Sequence, residues 1–270
     1  MRQFQRNLVV YTIAATVVPK QMLVYNAWVW MSILVEIITT TIFVFFWRAI
    51  YADQALVAGL TLQATLNYIL LARVIRPLSL NTNMIYRFGR LLREGEITTM
   101  LLRPLDLQAS MYADSMMNML CQAVIQIPML IVALLVFGLQ LPSDPLLWAC
   151  FVVSLLLGRT ALFFLDWTIG CISFYITESW GLSMMRVSIG TFLSGAFLPL
   201  AMMPAWLERL ALALPFAQAL YLPTSFLSGI TPAAAAPGIW RDQIIAVLVL
   251  GVLSRLVFSR SLRTITVQGG

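Results

Sequence analysis

The chain has 270 residues, of which 61% are hydrophobic and only 10% charged, and its mean hydropathy is +0.89. A soluble domain is closer to half apolar and a quarter charged, so these residues cannot coat a globule with a solvated surface, and the solvent they imply is lipid. The net charge of +6 does not point to nucleic acid, because the arginines cluster in connections between apolar stretches, the pattern of cytoplasmic loops.

In chain order, Arg2 and Arg6 precede an apolar run from Leu8 to Val18, in which Leu8, Tyr11, Ala15 and Val18 recur at helical spacing. Pro19 and Lys20 follow without a small-x-small cleavage site, so the run reads as a retained amphipathic helix on the membrane surface. A helix needs about 20 apolar residues to cross the hydrocarbon core. Six stretches are read as such spans: 27–47, 55–78, 112–137, 146–174, 182–200 and 239–257. The expected fold is one all-α integral membrane domain, 1–270, with six transmembrane helices.

Between the fifth and sixth spans, residues 203–238 are too apolar for a free loop. They are also too broken by Pro204, Pro215, Pro223, Pro232 and Pro237 for one helix. Two short helices, Pro204–Leu214 and Phe216–Ser228, either dip into the membrane and return, which requires burial in protein, or rest as a cap at the outer interface.

Orientation follows from Arg and Lys. With both termini cytoplasmic, the inner segments hold Arg2, Arg6, Lys20, Arg76, Arg87, Arg90, Arg93, Arg103, Arg186, Arg260 and Arg263, and the outer loops Arg48, Arg209 and Arg241. Trp47, Trp148, Trp206 and Trp240 then fall at the outer interface and Trp180 at the inner one.

The longest inner connection runs from Asn83 to Asp106. Met84, Phe88, Leu91 and Leu92 form an apolar stripe with Arg87, Arg90 and Glu94 beside it, and Arg90 and Glu94 are spaced to pair at i,i+4. Gly95 permits a break, Ile97–Leu102 makes a second apolar piece, and Arg103-Pro104 stops it. Such a loop can lie on anionic headgroups, receive a soluble partner on its Arg, Leu, Phe and Met side chains, or bind substrate, although it carries no convergent polar pocket.

Within this connection, Arg93-Glu94-Gly95-Glu96 followed by Leu101-Leu102-Arg103-Pro104-Leu105-Asp106 resembles the signature of the ABC type-2 (ABC-2) permease family, in its branch of six-span subunits without a fused ATPase. The surface helix, the run Phe46-Trp47-Arg48-Ala49-Ile50-Tyr51, the proline-broken outer segment and the tail Gln268-Gly269-Gly270 are similar to that branch as well. Relatives often carry a further proline after the Asp, where this chain has Leu107-Gln108. The resemblance implies a permease subunit of an ATP-driven exporter in a bacterial inner membrane. Its loop between spans two and three would be a coupling helix docked on a cytoplasmic ATP-binding subunit. The docking residues would be Arg87, Phe88, Arg90, Leu91, Arg93, Glu94, Gly95, Glu96, Leu102, Arg103, Pro104 and Asp106. It further implies two ATP-binding subunits that hold ATP and magnesium, and a second permease, the same or paralogous. No Gly-x-x-x-x-Gly-Lys-Ser/Thr phosphate loop occurs here, so this chain is expected to be non-catalytic and to bind no cofactor itself.

Glu36, Arg159 and Asp166 fall inside expected spans, where a central charge costs about 2.5–3.5 kcal/mol. With Ser194 they are candidates for a polar path or a permease–permease contact, or else for structural pairing between helices. Arg159 and Asp166 are two turns apart on one helix, so each needs partners elsewhere. Asp114 reads as interfacial. The chain has no histidine and three dispersed cysteines, Cys121, Cys150 and Cys171, which argues against a metal centre, a His-dependent catalytic site and a disulfide framework. Competing classes are an ion-coupled secondary transporter, which would show corresponding broken helices in two halves, an intramembrane enzyme and a non-transporting assembly subunit.

Overall fold

The computed structural model describes residues 26–82, 84–102, 106–176 and 178–264; the expected N-terminal surface helix, Arg103, Pro104 and the 268–270 tail lie outside them. Within the described residues the fold is helical throughout, with no strand.

Helix α1, Asn26–Ile50, turns Met31, Leu34, Val35, Ile38, Ile42, Phe45 and Phe46 outward and buries Ile33, Val44 and Trp47. A continuous apolar row of that length on a free surface is what lipid, not water, solvates. Trp47 is therefore a core residue and not part of an interfacial belt. Helix α2, Leu62–Ser79, starts later than the expected 55, because Thr61 accepts a bond from the Ala64 amide and sets the N-terminus there. It is buried on nearly every side from Thr65 to Ile75.

Four helical stretches are long and apolar enough to cross a membrane: Trp30–Ile50, Leu107–Leu135, Pro145–Phe174 and Ala233–Ser261. The second consists of α5, Leu107–Ile125, and α6, Ile127–Leu135, which meet at Gln126 next to Pro128; α3, Met84–Arg93, and α4, Glu96–Leu101, belong to the connection before it. The third is α7, Pro145–Gly170, prolonged by a 3-10 turn at Cys171–Phe174. Two of the six expected spans do not meet that measure. Helix α2 has 18 residues and carries Arg73 and Arg76. Helix α8, Trp180–Leu193, has 14, about 21 Å of rise against a hydrocarbon core of about 30 Å. Both belong to the bundle, but neither qualifies as a span by length and composition.

The segment after α8 forms α9, Ala205–Ala213, α10, Pro215–Ala219, and α11, Tyr221–Leu227. Its two limbs are bent by 71° at Leu214. From Pro215 to Leu227 every residue except Leu222 is buried, packed on α7 and α2. The second limb thus packs into the bundle, which gives its broken backbone the burial in protein that such a segment needs. Helix α7 is the axis on which α10, α11 and α12, Ala236–Ser261, all pack. Contact is closest at Gly158, where an added Cβ would lie 2.0 Å from the Gln218 carbonyl oxygen. Gln243 of α12 locks the same place by donating to Ser154 O (3.0 Å), Ser154 Oγ (2.9 Å) and Gln218 O (2.9 Å).

A methyl group at Gly158 would have to displace backbone, so Gly158→Ala is expected to lower stability by about 1–3 kcal/mol. Thermal unfolding in detergent checks this against Gly181→Ala, where nothing lies within 4 Å; equal melting of both variants would contradict the packing described.

Candidate coupling surface and buried charge cluster

The connection between α2 and α5 folds as a helical hairpin. Its limbs are α3, Met84–Arg93, and α4, Glu96–Leu101, joined where Gly95 takes φ +70°, a conformation costly for any residue with a Cβ. The apolar stripe expected to face a partner faces the chain's own bundle instead. Met84, Phe88, Leu91 and Ile97 are buried, with the Phe88 ring 5.1 Å from Trp167, 5.5 Å from Phe174 and 6.3 Å from Phe258. Phe88 and Leu91 are therefore anchors and not contact residues, because a stripe this apolar finds its burial within the chain.

The outward face carries Tyr86, Arg90, Arg93, Glu94, Gly95, Glu96, Leu101 and Leu102, with Leu102 81% exposed. Arg90 and Glu94 pair at 3.9 Å, as their spacing suggests. Arg93 donates to Ser179 Oγ at 3.4 Å. Arg87 turns sideways to Asp114 on α5 at 2.8 Å, so Asp114 ties the hairpin down. Asp106 caps α5 through the Ala109 amide (2.7 Å) and meets Arg255 of α12 at 2.5 Å. Partial burial opposes its ionisation, but the bonds from Arg255 and the Ala109 amide outweigh that and hold the carboxyl below its ordinary range.

A second constellation lies where α2 ends. The carbonyls of Ser79, Leu80 and Asn81 lack helical partners. Fully buried Arg159 on α7 donates to Ser79 O (2.9 Å), Asn81 O (3.2 Å) and Ser115 Oγ (3.0 Å). Arg186 on α8 donates to Leu80 O (3.0 Å) and, through Nε and Nη2, to both oxygens of Asp166 (2.6 and 2.5 Å). Thr82 also donates to Asp166. Glu36 on α1 is shared between Arg73 and Arg76, each at 3.3 Å, and the Arg73 guanidinium sits 4.1 Å over the Phe43 ring.

A model of the ABC-2 family transporter protein matches residues 34–269. The chain belongs to the ABC-2 transporter family. No curated protein matches it. It is accordingly a multi-pass membrane permease, of a family that is in general non-catalytic and works with an ABC ATPase.

Of the intramembrane candidates in this ABC-2 permease, Arg159 and Asp166 converge on the loop after α2, whereas Glu36 serves Arg73 and Arg76. Ser194 stands apart, its hydroxyl bonded back to Thr191 O at 2.9 Å, which is helix-end satisfaction and not a path. Arg186, assigned to a cytoplasmic segment by sequence, is a buried partner of Asp166. Its position inside the apolar stretch 182–200 was the available signal. Arg73 was missed as well, although it stands three residues before Arg76, on the same helical face.

Two outcomes follow from this geometry. Asp166→Ala leaves Arg186 buried without its counter-charge and is expected to cost about 3–5 kcal/mol. The double variant with Arg186→Met should melt closer to the native chain, and a double variant as unstable as the single one would argue against the pair. Because folding lowers the Asp106 pKa, the stability it adds is present above the unfolded carboxylate range and is lost as pH falls below about 4. Arg255→Met should flatten that acid-side decline in a melting series over pH.

Proposed function

We propose that this permease is half of the translocation path of an ATP-driven exporter in a bacterial inner membrane. The α3–α4 hairpin is its coupling element, received on the cytoplasmic side by a separate ATP-binding subunit. One observation carries the reading. The hairpin buries its apolar face in the aromatic cluster of Phe88, Trp167, Phe174 and Phe258, and so is rigidly joined to α7 and α12. Its other face remains charged, with Leu101 and Leu102 uncovered. A push on that outer face moves the bundle and not merely a loop, which is what converting ATP-driven closure into helix motion needs.

Two ATP-binding subunits, holding ATP and magnesium, and a second permease, the same or paralogous, complete the assembly. The second permease covers apolar surface that α8 leaves open at Met185, Ile189 and Phe192. Docking falls to Arg90, Arg93, Glu94, Glu96 and Leu102, with Arg103 and Pro104 following in sequence. Both termini are cytoplasmic in this arrangement.

The test is co-purification and transport. The native chain is expected to bring down an ATP-binding subunit, whereas Leu102→Asp and Glu96→Ala should weaken that association on the order of tenfold with the melting temperature unchanged. Phe88→Ala, by contrast, should lower stability by about 3–5 kcal/mol. Full export by both surface variants would refute the assignment of the hairpin.

A further inference from the structure

The charges around the end of α2 do not balance. Four guanidinium groups, Arg73, Arg76, Arg159 and Arg186, meet only two carboxylates, Glu36 and Asp166, an excess of two positive charges. The C-terminal carbonyls of α2 absorb part of it, through Arg159 and Arg186. The Glu36 side does worse. One carboxylate serves two arginines at 3.3 Å, long for charge-assisted bonds, which run about 2.7–2.9 Å. The buried Nε of Arg76 and the buried Nε and Nη2 of Arg73 have no hydrogen-bond partner. Arg73 and Arg76 together carry one charge more than Glu36 balances, and Arg76, 35% exposed, is the member that a ligand can reach.

A cavity of about 350 Å³ opens beside this cluster, between the end of α2 and α8; Arg76 lines it, whereas Arg73 and Glu36 do not. Arg76 and Arg186 lie in its wall with Thr82 and Ser183, and Met184 and Val187 form its rim. The rim side chains are each more than two-fifths exposed, at 44% and 43%, on the face α8 turns away from the bundle. The lining is mixed: it has two arginines and no carboxylate, and the apolar Leu80, Met84 and Ile85 are among its buried members. Two arginines without a carboxylate, set among apolar side chains, suit a ligand with an anionic head and an alkyl part. The volume fits a headgroup and falls within the usual range of about 300–1,000 Å³ for ligand sites.

We infer that this cavity binds the phosphate head of an anionic amphipath at the end of the bundle that carries the α3–α4 hairpin. Arg76 supplies the accessible charge and Arg186 the fixed one. The phosphate could belong to a resident membrane lipid or to exported cargo. The site itself stands on the geometry, and only its cargo role rests on the permease function proposed above.

The first measurement is thermal stabilisation of the purified chain by dodecyl phosphate, with dodecyl phosphocholine and inorganic phosphate as comparisons. Dodecyl phosphate is expected to raise the melting temperature saturably and the other two are not. Arg76→Gln should weaken its apparent affinity on the order of tenfold. Glu36→Gln, which removes the competing carboxylate, should leave affinity unchanged or tighten it. Arg260→Gln, an exposed arginine at the same end, should change nothing. Loss of affinity in Glu36→Gln as great as in Arg76→Gln would mean damage to the fold and would overturn the site. So would equal stabilisation by the zwitterion, or no stabilisation at all. None of these readouts requires an ATPase, so a failure of the exporter reading leaves them interpretable. Native mass spectrometry of the complete transporter before and after ATP turnover then separates the sources: a bound phosphate amphipath lost on turnover is cargo, and one retained is resident lipid.

Discussion

Two buried arginines hold the loose end of α2. The end of a helix leaves carbonyl groups without helical partners, and those taken out of water are costly if left unpaired. Arg159 from α7 and Arg186 from α8 take up the carbonyls of Ser79, Leu80 and Asn81, and Asp166 holds Arg186 in place. This arrangement fixes three helices relative to one another at one point. It also permits α2 to be buried from Thr65 to Ile75, because its end carbonyls are paired within the chain. The connection that follows, which becomes the hairpin, therefore starts from a defined position.

From that position the aromatic side chains do the rest. Phe88 reaches Trp167, Trp167 reaches Phe258 at 5.0 Å, and Phe174 closes the group. Edge-to-face contacts of this kind add to the large apolar area such rings bury. The hairpin is joined on one side to the axis α7 and on the other to α12, with ion pairs Arg87–Asp114 and Arg255–Asp106 at its flanks. The charge cluster and the hairpin are neighbours, sharing Met84 and Ile85 next to the cavity. In the proposed transporter, a shift of the hairpin and a change at the anion site would bear on the same few residues.

Much of this was legible in the residues. Long apolar runs identify membrane helices by composition alone, and Pro204 with Pro215 announce the broken segment. The Arg90–Glu94 spacing and Gly95 describe the hairpin's pair and turn. Other features were not legible. The 182–200 stretch looked long enough to span, but its helix ends at Leu193, with Gly195 and Pro199 just beyond. Arg186 counts only toward orientation in the sequence, because charge counting has no knowledge of a buried Asp166. The stripe of Phe88 and Leu91 looked like a docking face, because amphipathicity says that one side must be covered without saying by what.

By itself the sequence determined the solvent, the helical class, the family signature and the residues whose charge had to be satisfied inside the membrane, because these depend on composition and on spacing along one chain. Only the tertiary structure decided which charges meet. Asp166 and Arg186 are twenty residues apart, and Arg159 and Ser79 eighty, and no local period relates them. The tertiary structure also decided that the limb from Pro215 to Leu227 goes inward. The close approach of Gly158 to the Gln218 carbonyl makes that possible, and a missing side chain acquires such a meaning only when another backbone comes to lie against it.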